Sequence, residues 1–99
     1  MQYQSTRDKT QKVSASRAIL QGLSAEGGLF VPEQLPKFSG QRLEKMVSQD
    51  YIRRAQEILG EFLSDFSNEE IESCLKGAYD AKKFSGSQIA PLSKLGENA

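Results

Sequence analysis

A glycine pair followed closely by a proline does most to limit what this chain can form. In Ser24-Ala25-Glu26-Gly27-Gly28-Leu29-Phe30-Val31-Pro32, Gly27-Gly28 stops any helix arriving from upstream, because glycine readily takes the positive φ that ends one. Pro32 closes the other side by removing a backbone donor. The residues between, Leu29-Phe30-Val31, favour extended backbone and predict a short strand. Residues 2 to 6, Gln-Tyr-Gln-Ser-Thr, alternate about one aromatic and predict its antiparallel partner. A two-stranded ribbon is marginal alone, so it has to lean on helices.

Those helices announce themselves by their caps. Ser14 heads one from about Ala15 to Leu23, with Ala18, Ile19 and Leu20 as its apolar face. Arg7 to Lys12 before it is polar and reads as a loop. Pro32 to Phe38 reads as an extended linker, after which Ser39 caps a helix carrying Leu43, Met46 and Val47 and ending near Ser48-Gln49. Asp50 caps the next, in which Tyr51, Ile52, Ala55, Ile58, Leu59, Phe62 and Leu63 recur at helical spacing. Ser67-Asn68-Glu69-Glu70 has the form of a capping box. Ile71, Cys74, Leu75, Ala78 and Tyr79 then fall on one face of a helix predicted to stop around Lys82-Lys83. No element is defined for Ile89, Pro91, Leu92 and Leu95. The expected fold is a small α+β domain, mainly helical, with about four helices and a short two-stranded antiparallel β ribbon.

Composition removes whole classes of function. The 99 residues hold no histidine, so Ser-His-Asp and Cys-His nucleophile systems and imidazole metal sites are excluded. Cys74 is the only cysteine, which rules out an intrachain disulfide or a thiolate cluster and points to a reducing, cytoplasmic setting. No metal site is expected. Thirteen basic and thirteen acidic residues cancel, leaving no field to gather nucleic acid. No apolar run approaches the ~20 residues that cross a bilayer.

Several clusters remain as candidates. Gly27-Gly28 could cradle a phosphate, but no helix start follows to assist, so a structural turn is the favoured reading. Ser5-Thr6-Arg7 puts two hydroxyls and a guanidinium at a strand end, and Arg7 is the best anion-binding candidate in the chain. Its competing role is an ion pair, with Asp8, Glu26 and Glu33 as local partners. Glu69, Glu70 and Glu72 suit the first turns of a helix better than acid–base work. Arg53-Arg54 and Lys82-Lys83 read as solvated helix faces. Cys74, on an apolar face, is expected to be a buried, inert thiol.

Taken together, some segments resemble one family. Tyr3-x-Ser5-Thr6-Arg7, then Ala18-Ile19-Leu20-x-Gly22-Leu23, then Glu26-Gly27-Gly28-Leu29-Phe30-Val31-Pro32 closely resemble the opening of threonine synthase. Tyr51, Ala55, Ile58-Leu59, Phe62, Ala78-Tyr79, Phe84 and Pro91-Leu92 fit the same order and spacing. Asp8 stands where that family usually has glycine, and Ala15 where it commonly has phenylalanine.

The resemblance implies a pyridoxal-phosphate enzyme that turns O-phosphohomoserine and water into threonine and phosphate, with the cofactor held on a lysine as a Schiff base. That lysine belongs to a His-Gly-Pro-Thr-x-x-x-Lys-Asp type segment, which this histidine-free chain lacks. On this reading residues 1–88 are the N-terminal domain and 89–99 a tail leading into a missing catalytic part. This chain itself is expected to hold no cofactor and to be inactive. Its role would be to pack on the catalytic body through Leu29–Val31 and Ile89–Leu95, with self-association when that body is absent. Ser5, Thr6 and Arg7 become the candidates for nearness to substrate. Two other readings stay open: a threonine-synthase-like phospho-lyase acting on related amino-alcohol phosphates, and a free-standing helical interaction module.

Overall fold

A computed structural model describes residues 1–84 and 88–97. Strand β1 (Tyr3–Ser5) is followed by β2 (Lys12–Val13), helix α1 (Ala15–Gln21), strand β3 (Phe30–Pro32) and helices α2 (Gly40–Val47), α3 (Tyr51–Phe62) and α4 (Asn68–Ala78). The expected pairing of the first strand with the one after the glycines is present, antiparallel, with Tyr3 opposite Pro32, Gln4 opposite Val31 and Ser5 opposite Phe30. The sheet is larger than the ribbon expected. Lys12–Val13, read as the end of a polar loop, adds a third strand in the order β2-β1-β3. Two residues carry no legible period, so only their partner reveals them.

The turn that makes β2 possible is built by Asp8. Its Oδ1 accepts hydrogen bonds from the Thr10 backbone N–H at 2.9 Å and the Thr10 hydroxyl at 2.6 Å. Among the described residues only glycines have positive φ, so this loop does not need the glycine that the family usually has at position 8.

All four helices start where the caps place them. Ser14, Ser39, Asp50 and Ser67 each accept from the backbone N–H three residues on. At Ser67 the box is complete, because Glu70 returns its carboxylate to the Ser67 N–H at 3.1 Å. The ends depart further from expectation. Helix α1 stops at Gln21, where Gly22 takes φ 79°. Helix α4 stops at Ala78, ahead of a single 3-10 turn at Ala81–Lys83.

The core is thin. Ala15, Met46, Ile71 and Leu75 are the buried hydrophobic side chains among the described residues. Helices α3 and α4 pack along each other, extended by Tyr51 and Tyr79, whose rings meet edge to face at 4.9 Å. The sheet and α1 are tied to α3 and the turn after it by polar contacts. The Tyr3 hydroxyl donates to the Phe62 carbonyl at 2.7 Å, and Asp65 accepts from the Ser16 N–H at 3.0 Å. The radius of gyration, 16.4 Å, exceeds the ~13 Å of a closed domain of this length.

Two expectations about burial fail. Ile19 and Leu20, assigned to the inward face of α1, are exposed, and Ala15 is the residue of that helix that is buried. Seven residues make about two turns, too little surface for a full apolar stripe to be covered by a three-stranded sheet. Cys74 is also exposed rather than buried. On α4 the stripe that α3 covers runs through Ile71 and Leu75, and the neighbouring position is left at its rim.

Candidate functional site

The Ser-Thr-Arg segment and the glycine pair come together at one end of the sheet. Leu23 and Leu29 form an antiparallel bridge, closed by a turn in which the Ser24 N–H donates to the Gly28 carbonyl at 2.9 Å. The Gly27 N–H donates to the Ser24 carbonyl at 2.9 Å, and Gly27 has φ 81°. The end of β1 lies against this turn. Thr6 N–H donates to the Leu29 carbonyl at 2.8 Å, and the Leu29 N–H donates to the Thr6 hydroxyl at 3.0 Å.

Inside the turn is a small polar nucleus. Ser5 is 1% exposed and Ser24 5%. Their hydroxyls lie 2.9 Å apart, and both donate to Oε1 of Glu26, from Ser24 at 2.6 Å. These two donors, Ser24 first and Ser5 second, hold the Glu26 carboxyl below the usual carboxylate range. The other oxygen, Oε2, is buried without a partner among the described residues. Gly28 is buried against the same nucleus. A Cβ there would stand 2.6 Å from the Ser5 hydroxyl oxygen and 2.9 Å from that of Ser24. Close approach, rather than backbone twist, is what reserves position 28 for glycine.

Arg7 lies at the rim and is exposed. Its Nη1 donates to the Glu26 carbonyl at 2.8 Å, leaving other N–H donors of the fork turned to solvent or to a ligand. The carboxylates available for an ion pair are engaged elsewhere. Glu33 meets Lys12 at 3.2 Å, Asp8 holds Thr10, and the Glu26 side chain holds the two serines. The turn thus offers an anchored guanidinium, with no nucleophile or acid–base pair beside it. Ser24 and Glu26 are the members that sequence reasoning did not assign to a site. The Ser-x-Glu spacing inside a glycine turn was their only signal.

A second polar cleft, of about 420 Å³, lies among α2, α3 and the start of α4. Arg42 faces it, but its guanidinium is held by Glu57 at 3.0 Å and Glu61 at 2.7 Å and lies 4.5 Å over the Phe38 ring. That arginine joins two helices and has little left for a ligand.

The lysines do not fit pyridoxal phosphate. A Schiff-base lysine requires a desolvated pocket that favours its neutral amine. Lys9, Lys12, Lys37, Lys45, Lys76, Lys82, Lys83 and Lys94 are all exposed. Two of them are in ion pairs, Lys12 with Glu33 and Lys76 with Glu72. No cluster of three or more His, Cys, Asp or Glu able to hold a metal exists among the described residues, and no described helix is long and apolar enough to cross a membrane.

Comparison with known proteins agrees with this architecture. The threonine synthase of Corynebacterium glutamicum is 31% identical over 99% of this chain and 21% of its own length. Threonine synthase-like 1 of Macaca fascicularis is 37% identical over 93% of this chain and 13% of its own. The crystal structure of PLP-bound threonine synthase from Brucella melitensis superposes with a TM-score of 0.84 at 27% identity, over 99% of this chain and 21% of that one. The chain therefore spans about a fifth or less of the relatives it matches. The profile of the family described as "Threonine synthase N terminus" covers residues 2–79, and this chain belongs to that family.

Proposed function

We propose that this chain is the N-terminal domain of a threonine synthase, whose complete polypeptide converts O-phosphohomoserine and water into threonine and phosphate with pyridoxal phosphate. The observation that carries the reading is the agreement over 99% of the chain with the fold of a PLP-bound threonine synthase. In the complete enzyme the cofactor supplies the electron sink for the reaction. This chain's residues supply a scaffold: they have no lysine suited to the cofactor, so the 99 residues alone are inactive and bind none of it covalently. Residues 1–88 form the domain and 89–99 lead toward the catalytic part. The family profile ends at 79, and Leu92 and Leu95 are exposed in a segment without helix or strand among its described residues. The cytoplasm is the expected location, in keeping with a lone cysteine. At high concentration the isolated chain self-associates weakly, through exposed aliphatic side chains of its helices such as Leu20 and Val47.

Within Ser5-Thr6-Arg7, Arg7 is the residue able to reach the substrate's anionic groups, because its guanidinium is anchored at one nitrogen and joined to no carboxylate among the described residues. Ser5 and Thr6 act by holding the turn that carries it. The test is phosphate release from O-phosphohomoserine by the complete gene product with pyridoxal phosphate. Failure to release phosphate would refute the reading, as would stoichiometric borohydride labelling of one lysine in the 99-residue chain.

A second reading has its own support. Threonine synthase-like 1 of Macaca fascicularis, at 37% identity, is about as similar to this chain as the Escherichia coli threonine synthase at 35%. A phospho-lyase acting on related amino-alcohol phosphates is therefore the alternative. Assaying both substrate classes on the same preparation separates the two.

A further inference from the structure

The outward side of the three-stranded sheet carries an aliphatic patch beside its polar positions. Residues directly opposite one another in an antiparallel pair project to the same side. Gln4 faces Val31 and Lys12 across the ladders, and Leu29 lies two residues from Val31 and opposite Leu23. These positions make the solvent side, with Leu23 57%, Leu29 60% and Val31 38% exposed. The opposite side carries Tyr3, Ser5, Phe30 and Pro32, all at least half-buried. An antiparallel sheet with one wet side ordinarily puts polar residues there. Here the two charges on that side, Lys12 and Glu33, are already paired with each other. From Ala18 to Pro32 the sole charged residue is Glu26, whose carboxylate is turned inward onto Ser5 and Ser24.

We propose that Leu23, Leu29 and Val31 form the face that the remainder of the polypeptide covers. The proposal rests on the reading above that a catalytic body exists, and it adds which surface of the domain that body occupies. Size selects this occupant over a second copy of the chain. Three aliphatic side chains offer a few hundred Å², well short of the roughly 1,000 Å² that an independent association needs. A covalently joined partner is present at an effective concentration of about millimolar, so a small patch suffices for it. The matched relatives carry that additional chain: this domain is 21% of the Corynebacterium glutamicum protein and 21% of the Brucella melitensis one. The low packing of the domain, with four buried hydrophobic side chains among the described residues, agrees with a fold completed by a neighbour.

The experiment is hydroxyl-radical footprinting of the complete gene product, read residue by residue and accompanied by the phosphate-release assay on the same sample. Leu75, 3% exposed in the core, is the internal standard for a covered side chain. Leu23, Leu29 and Val31 should oxidise as slowly as Leu75, and about tenfold slower than in the 99-residue chain, as expected when water is excluded from an interface core. Rapid oxidation of all three in the complete protein would overturn the proposal. So would protection that disappears on dilution, since that assigns the face to a second copy, and so would a reading frame that ends at Ala99. Protection without phosphate release leaves the docking face standing and removes the activity reading. Phosphate release with an unprotected face does the reverse.

Discussion

The helical pair α3–α4 and the sheet end around Gly28 are stabilised in opposite ways. In the first, apolar side chains go in and charges stay out: Ile71 and Leu75 are buried, while Glu69, Glu70 and Lys76 face water. In the second, the buried side chains are two serines beside a carboxylate, and the leucines face out. A helix of eleven residues can bury a stripe with its backbone already hydrogen-bonded. A sheet of two- and three-residue strands cannot, so a hydrogen-bonded polar nucleus sets its geometry. The difference teaches that the helical pair is held by area and the turn by fit.

Four substitutions test that contrast, the largest effect first. Leu75→Ala removes a buried side chain from the area-held region and should destabilise the chain by about 3 kcal/mol, within the 2–5 kcal/mol usual for such deletions. Urea unfolding measures it, and a loss no larger than that of a surface change would end the claim that α3–α4 is the core. Gly28→Ala adds one methyl to the fit-held region, where it meets two hydroxyl oxygens inside contact distance. It should cost about 2 kcal/mol, as overpacking does. Since alanine raises stability at open glycines, a neutral or stabilising result would show that the nucleus yields. Ser67→Ala deletes one side of the capping box and should cost about 1 kcal/mol, read as faster hydrogen exchange confined to the amides at the start of α4.

The smallest effect sharpens the comparison through pH. The folded pKa of Glu26 lies below its unfolded value because Ser24 and Ser5 donate to the ionised form. The resulting stability is present above the unfolded carboxylate pKa of about 4.3. It is lost as pH falls through the lower, folded value. Glu26→Gln should therefore lower Tm most at neutral pH, where the ionised carboxylate contributes, and converge on the parent below about pH 4.3, so that the acid limb is flatter. Asp65, held down in the same way by Ser16, remains in that variant. An acid limb identical to that of the parent chain would mean that Glu26 does not contribute.

What could be read from the chain differs between the same two regions. Ser14, Ser39, Asp50 and Ser67 each marked a helix start, and the spacing of Ile71 and Leu75 marked the packed side of α4. The segments flanking Gly27-Gly28 marked both the strand pairing and the resemblance to threonine synthase. The strand at Lys12–Val13, the exposure of Ile19, Leu20 and Cys74, and the joining of Glu26 to Ser5 were not marked. Ser5 and Ser24 are nineteen residues apart, and nothing in either local pattern names the other.

The amino-acid order by itself determined where helices begin and where the chain must turn. Those outcomes rest on contacts within about four residues or on the conformational freedom of single glycines. Only the tertiary structure decided which hydrophobic residues are covered, because burial depends on the area that other elements can offer. With seven residues in α1 and eight in the three strands, that area is too small to cover Leu20, Leu23 and Leu29.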